Sequence, residues 1–169
     1  TVVVLPAAGG NTYLISEFLS TKRARVRFWS YLAGASVTGN SVLIRVFNGN
    51  LKIRFDIATP RVDDNTISVA MRAYNDSGAG AIIMPSSSPY AYDVDAPIWL
   101  HHDIEWTAQT ASGVTDGTMR HTISDWHDGA LRTLKTSSLT GQATGVTPID
   151  RMFIAAYYQN FGDGGMVVY

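Results

Sequence analysis

The sequence predicts an all-β chain folded as a sandwich of two antiparallel sheets. Three observations carry that prediction. Short runs rich in β-branched and aromatic residues alternate with turn clusters along the chain. No long stretch repeats apolar residues at helical spacing. Charged residues make up 16% of the chain and hydrophobic residues 46%, a balance that suits two sheets covering each other. At 169 residues one domain spanning 1–169 is expected, with a core large enough to need no staples. The chain starts at Thr1, shows no signal-peptide pattern and stops at Val167-Val168-Tyr169, which reads as a strand cut short. The expectation is a fragment of, or a piece processed from, a longer chain.

In order, the predicted strands are 12–19, 24–32, 41–47, 51–57, 66–74, 81–84, 98–107, 118–124, 131–136 and 151–159, with a last run from Met166. Residues 15–20 are the one short helix candidate, and strand or coil is the preferred reading. Asn48-Gly49-Asn50 between two alternating runs is the strongest hairpin signal. Asn75-Asp76-Ser77-Gly78, Asp116-Gly117, Asp128-Gly129 and Asp163-Gly164-Gly165 are further turns, where glycine supplies positive φ and Asp or Asn bonds its own backbone. Residues 85–97, with three prolines and three serines, read as a long loop.

Period-two alternation sorts the side chains by face. In one strand Ala24, Val26, Phe28 and Leu32 oppose Arg23, Arg25, Arg27, Trp29 and Tyr31. In another, Leu100, Ile104, Trp106 and Ala108 oppose Trp99, His101, Asp103, Glu105, Thr107 and Gln109. Met119, His121 and Ile123 alternate with Arg120, Thr122, Ser124 and Trp126, and Met152, Ile154, Ala156 and Tyr158 with Phe153, Tyr157 and Gln159. Each strand thus has an oily face for the core and a second face mixing polar and aromatic groups. Strand order is not readable from alternation, so whether the four mixed stripes share one sheet stays open.

Several functions are disfavoured by composition. A net charge of −1 offers no field for nucleic acid or an anionic membrane. The absence of cysteine removes disulfides, thiol nucleophiles and cysteine-bound metals. No apolar run is long enough for a membrane helix. Nor does any glycine-rich segment sit between a strand and a helix as a phosphate loop requires.

The stretch from Trp99 to Trp106, a turn, the run from Asp116-Gly117 through Met119 and His121, and the turn at Asp128-Gly129 resemble the back half of concanavalin A-like lectin/glucanase and laminin-G-like domains. The segment from Arg27 to Leu32, the hairpin at Asn48-Gly49 and the closing strand through Phe153, Tyr157 and Tyr158 resemble the rest of that pattern. The resemblance implies a jelly-roll sandwich that binds glycans, cleaves them, or serves a structural role.

The glucanase branch of that superfamily places acids at alternating positions of one strand, and retaining cleavage needs two carboxylates about 5–5.5 Å apart. Asp103 and Glu105 match two positions, but His101 stands where the first acid belongs. The reading therefore leans away from an enzyme, with Asp103 and Glu105 as weak catalytic candidates. Their alternative role is pairing with Arg23, Arg25 or Arg27 on a neighbouring strand. Adjacent His101 and His102 point to opposite faces and cannot chelate one ion. His102 and His121 fall on oily faces and read as core histidines, so a transition-metal site built from these histidines and His127 is disfavoured. No resident cofactor is expected. Calcium is the one plausible metal, with Asp63, Asp64, Asp93 and Asp95 as weak ligands in turns beside Asp116 and Asp163.

Exposed aromatics are the best binding signal. Trp29, Tyr31, Trp99, Trp126 and Tyr157, with His101, Arg25 and Arg27, are the candidate ligand-binding residues, because flat rings stack on sugar faces while polar neighbours bond hydroxyls. The same rings would serve equally between subunits. The expected function is a non-catalytic, carbohydrate-binding adhesion module on an extracellular, virion or cell surface. Its partners would be carbohydrate or other subunits, copies of itself included, with no nucleic acid and no membrane insertion. A virion or appendage subunit is the first alternative and a glycan-cleaving enzyme the second.

Overall fold

Turn chemistry sets the strand boundaries. In the Asp128-Gly129 turn Asp128 has φ 50° and Gly129 φ 81°, the left-handed pair that a two-residue hairpin requires. It pairs His127 with Ala130 and Trp126 with Leu131. At the Asn48 hairpin the Asn48 side-chain oxygen accepts the backbone N–H of Asn50 at 3.1 Å and of Lys52 at 2.9 Å. Gly117 has a different role from the predicted turn glycine. It opens a strand, and a Cβ there would overlap Thr144 Oγ1 and lie 2.7 Å from the Gln142 carbonyl.

The structure, a computed structural model, describes residues 3–5, 14–33, 41–50, 52–59, 66–75, 82–83, 90–93, 98–157 and 165–168. Among them run thirteen strands: β1 (Val3–Leu5), β2 (Leu14–Thr21), β3 (Arg23–Ala33), β4 (Ser41–Asn48), β5 (Ile53–Thr59), β6 (Thr66–Ala73), β7 (Ile82–Ile83), β8 (Tyr90–Asp93), β9 (Trp99–Thr107), β10 (Gly117–His127), β11 (Ala130–Gln142), β12 (Ile149–Tyr157) and β13 (Gly165–Val168). One sheet has the order β1-β13-β3-β9-β10-β11 and the other β2-β12-β4-β5-β6-β7, with β8 also on β6. Every pairing among the described residues is antiparallel. The two-sheet jelly-roll sandwich expected from the sequence is the fold observed.

Three local expectations change. Residues 15–20 lie within strand β2, because β12 gives their backbone a ladder that a six-residue helix could not match. The stretch 85–97 is not all loop: β8 lies inside it and pairs with β6, its Tyr90-Ala91-Tyr92 alternation outweighing the flanking prolines. The 131–136 run grows into the thirteen-residue β11, bent by register shifts against β10. The turns at Asp76 to Gly78 and at Asp163 lie outside the described residues.

The oily faces meet as predicted. Phe28, Ile104, Trp106, Met119 and Ile123 of the first sheet are buried against Ile44, Val46, Phe55, Ile57, Val69 and Met71 of the second. Each such side chain removed from water contributes roughly 1.5–3 kcal/mol. Trp106 lies at the centre, its ring 6.0 Å from that of Phe55.

Two polar clusters interrupt this packing. Asp56 on β5 is fully buried and points away from the core. Arg72 grips its two oxygens at 2.7 and 2.8 Å, Arg45 approaches at 3.3 Å, and the Tyr74 hydroxyl donates at 3.2 Å. The register sets Arg45 opposite Asp56 and Asp56 opposite Arg72, so one carboxylate ties three central strands together. Inside the core, Ser30 Oγ lies 2.8 Å from His102 Nε2, and His102 Nδ1 lies 3.0 Å from His121 Nε2. His102 stacks on Phe28 at 4.4 Å. These are the core histidines that the alternation predicts. Burial first, then the neighbouring imidazoles, holds His102 well below the ordinary histidine range. Burial lowers His121 to about 4.

Two predictions follow from these clusters. Replacing Asp56 by Ala strands two guanidinium groups, and urea unfolding should show a loss of about 3–5 kcal/mol; a loss under about 1 kcal/mol would mean that the cluster carries little. The second concerns pH. An unfolded histidine titrates near 6.5, above both buried imidazoles, so the unfolded chain takes up protons first as pH falls. Stability is therefore full above about pH 7 and declines from about 6.5 towards 4, by about 3 kcal/mol for His121 alone. In His121→Gln, the slope of unfolding free energy against pH in that window should flatten. A level wild-type profile between pH 7.5 and 4.5 would show that the imidazoles titrate normally.

Candidate functional site

The β3–β9 register is unbroken from Arg23↔Thr107 to Tyr31↔Trp99, and β10 continues it through Thr118↔Thr107 to Ser124↔His101. Three of the four mixed stripes therefore lie side by side on the outer face of the first sheet, in rows. At one end Tyr31 faces Trp99, rings 5.2 Å apart and tilted 36°. Next, Trp29 faces His101 at 5.0 Å, with Ser124 and Thr133 completing the row. Then come Arg27, Asp103, Thr122 and Thr136, and after them Arg25, Glu105, Arg120 and Ser138.

The aromatic end is open. Trp99 is 40% exposed, Trp126 62% and Leu131 47%. Trp126 lies two residues beyond the Ser124↔His101 pair, at the same end of the sheet. Leu131 stands opposite it on β11. Leu131 was missing from the sequence candidates, although a two-residue Asp128-Gly129 turn implies its pairing with Trp126. Tyr157 does not join this group: β12 belongs to the opposite sheet, which alternation within one strand could not reveal. Its neighbour Phe153 packs against Phe47 instead, at 4.6 Å.

The other end is a lattice of charges. Asp103 accepts from Arg25 Nη2 at 2.5 Å and Nε at 2.8 Å, and from Arg27 Nε at 3.3 Å. Glu105 lies 3.5 Å from Arg25 and 3.9 Å from Arg120. This is the cross-strand pairing expected as the alternative to catalysis. The hydrogen bonds from Arg25 hold Asp103 below the usual carboxylate range, its charge reinforced by Arg27. The same bonds raise Arg25. A carboxylate so clamped stays ionised and is poorly suited to donate a proton. Partial burial lowers His101, with Asp103 opposing and Arg27 assisting. At neutral pH His101 therefore offers a neutral ring with one donor and one acceptor.

Two alternation assignments fail locally. Gln109 is buried, exchanging hydrogen bonds with the Gly145 backbone at 3.0 and 3.1 Å. Ser124 is buried where the β10–β11 register shifts. Asp125 beside it is clamped by Arg132, a pair that the stripes did not predict.

Of the calcium candidates, Asp63, Asp64 and Asp95 lie outside the described residues. Asp93 is the last residue of strand β8, opposite Thr66, rather than part of a turn. Asp116 spends its carboxylate on the Thr110 N–H at 2.9 Å and the Thr110 hydroxyl at 2.6 Å, local turn chemistry rather than an open ligand. His127 is exposed and pairs with Asp128 at 3.2 Å. Among the described residues no three His, Asp or Glu side chains converge as a metal site, and no helix is long and apolar enough to cross a membrane.

No protein-family model matches the sequence, and no curated protein matches it. Solved structures do. A native heptameric SAP-like pentraxin from Limulus polyphemus superposes with a TM-score of 0.52 at 10% identity, over 99% of this chain and 74% of that one. A polysaccharide lyase of family 18, aly-SJ02, gives 0.49 at 9% identity over 99% and 83% of the two chains. An alginate lyase from Alteromonas sp. 272 gives 0.42 at 8% over 87% and 69%. The two lyase likenesses are too loose to carry an argument. The pentraxin likeness concerns architecture alone, and with the observed topology it makes this chain a concanavalin A-like jelly roll.

Proposed function

We propose that this domain is a non-catalytic recognition module that holds carbohydrate on the outer face of the β3–β9–β10 sheet. The observation that carries the reading is the exposed aromatic end formed by Tyr31, Trp99 and Trp126, followed by the polar side chains of His101 and Thr133. Rings stack on the apolar face of a pyranose while the next row bonds hydroxyls, the usual division of labour in small-ligand sites. Arg27 lies one row further on and Arg25 two, and they would reach a longer glycan. The setting that suits such a module is a cell, particle or virion surface, where it serves adhesion.

A second reading has its own support. Leu131, beside Trp126, is aliphatic and half exposed; an aliphatic side chain adds little to sugar stacking but much to a protein interface. On that reading the domain is a structural subunit of a virion or appendage, and the aromatic end packs against a copy. A glycan-cleaving enzyme is the further alternative, supported by Asp103 and Glu105 sharing a face and opposed by the arginine clamp on Asp103.

A glycan array followed by calorimetric titration, with and without calcium, separates the three. The expected result is binding to a defined glycan that Trp99→Ala weakens by about tenfold, roughly 1.4 kcal/mol, without loss of folding. No glycan binding, together with ordered self-association that Trp126→Ala or Leu131→Asp abolishes, would establish the subunit reading instead. Polysaccharide turnover by the wild-type chain that disappears in the Asp103→Asn/Glu105→Gln double variant would replace binding by catalysis.

A further inference from the structure

β3 is paired unequally along its two sides. Toward β9 it is matched from Arg23 to Tyr31. On the other side β13 covers only its last four residues, from Ser30↔Val168 to Ala33↔Gly165. Among the described residues, 23–29 therefore have no strand partner on that side. This open edge is roughly 20 Å long. Beside it lies a cleft of about 450 Å³, walled by Phe18 and Thr21 of β2, floored by Ala24, Val26 and Met152, and rimmed by the β3 arginines. Among the described residues β2 is itself an edge strand, paired with β12 alone, so the cleft runs between the margins of the two described sheets.

We propose that this cleft is a strand-acceptor site: an extended peptide segment of a partner protein adds to β3, antiparallel, in the register that β13 begins. The register dictates the chemistry of the segment. Residues opposite Ala24, Val26 and Phe28 face the sandwich interior, where Phe18 and Met152 wait, and must be apolar. Residues opposite Arg23, Arg25 and Arg27 lie on the outer face and are matched by acids, because cross-strand neighbours share a face. The local charge supports this. Three arginines (Arg25, Arg27 and Arg120) share two carboxylates, Asp103 and Glu105, and Arg23 stands one row further along β3, opposite Thr107. Arg23 has no ion-pair partner among the described residues. The Arg25 and Arg27 side chains remain 51% and 55% exposed. An open edge binds another strand through its backbone and selects it by side chains. Arginines on such an edge discourage pairing with like copies of β3 and favour an acidic strand. The site lies at the opposite end of the sheet from Trp99 and shares only Arg25 and Arg27 with the carbohydrate reading, so it can hold or fail without the aromatic end.

The probe is an acetylated, amidated seven-residue peptide of alternating Asp and Val, compared with its Lys/Val counterpart and with a block-scrambled Asp/Val peptide. Fluorescence anisotropy reads binding, and hydrogen exchange reads the backbone amides of residues 23–29. The expected result is saturable binding of the alternating acidic peptide, with exchange of the outward-pointing amides in 23–29 slowed by about tenfold or more. Arg23→Glu, a surface change, should weaken binding by about fivefold or more. The idea is overturned if saturating peptide leaves those amides unprotected, or if the lysine peptide protects them equally. It is also overturned if they are already protected in the free chain. Concentration-dependent dimerisation would then identify a second copy as the occupant, and protection in the monomer a segment of this chain.

Discussion

The unbroken register between β3 and β9 organises the molecule. Nine consecutive pairs allow one alternation to run across both strands without slippage, and a shift of one residue would exchange the faces entirely. Because the register holds, Phe28 and His102 stack inside while Trp29 meets His101 outside. Arg27 and Arg25 reach Asp103 across the same pairing. The core, the aromatic end and the charge lattice are consequences of one alignment. The ion pairs in turn oppose slippage, since a displaced β3 would set arginines beside Ile104 and Trp106.

Polar groups in the two sheets are used differently. The second sheet buries Asp56 among Arg45, Arg72 and Tyr74, where the carboxylate accepts five hydrogen bonds from three side chains. Such a cluster specifies which strands lie together more than it adds stability, because the carboxylate has given up its hydration and the two guanidinium groups most of theirs. On the first sheet Arg25, Arg27 and Arg120 keep their guanidinium groups about half exposed, where solvent screening weakens each pair. The Ser30–His102–His121 chain lies between. It engages both ring nitrogens of His102 and one of His121, and the imidazoles fill core volume as aromatic residues would.

Both proposed surfaces lie where the described part of the first sheet is least covered. The aromatic end combines flat exposed rings with short polar side chains one row away, and the β3 edge combines backbone groups that have no strand partner among the described residues with arginines. One surface suits a rigid ligand recognised by stacking and the other an extended ligand recognised by backbone pairing. Both rest on the same rigid sheet, which holds their side chains in place before anything binds.

Much of this was legible in the chain itself. Alternation sorted Phe28, Ile104, Trp106, His102 and His121 inward and Trp29, Tyr31, Trp99, Arg25 and Asp103 outward, because side-chain direction in a strand follows from local backbone geometry. The Asp128-Gly129 turn was legible for the same reason: positive φ is a local demand. Tertiary structure alone decided which stripes became neighbours. Strand order depends on packing between segments far apart in sequence, so nothing within β12 showed that Tyr157 lies in the other sheet. Nor did β10 show that its shifted register buries Ser124 and exposes Leu131 beside Trp126. The close approach of Thr144 to Gly117 and the unpaired edge of β3 belong to the same class. Each is a relation between two segments, and a single sequence records only the chemistry that each brings to it.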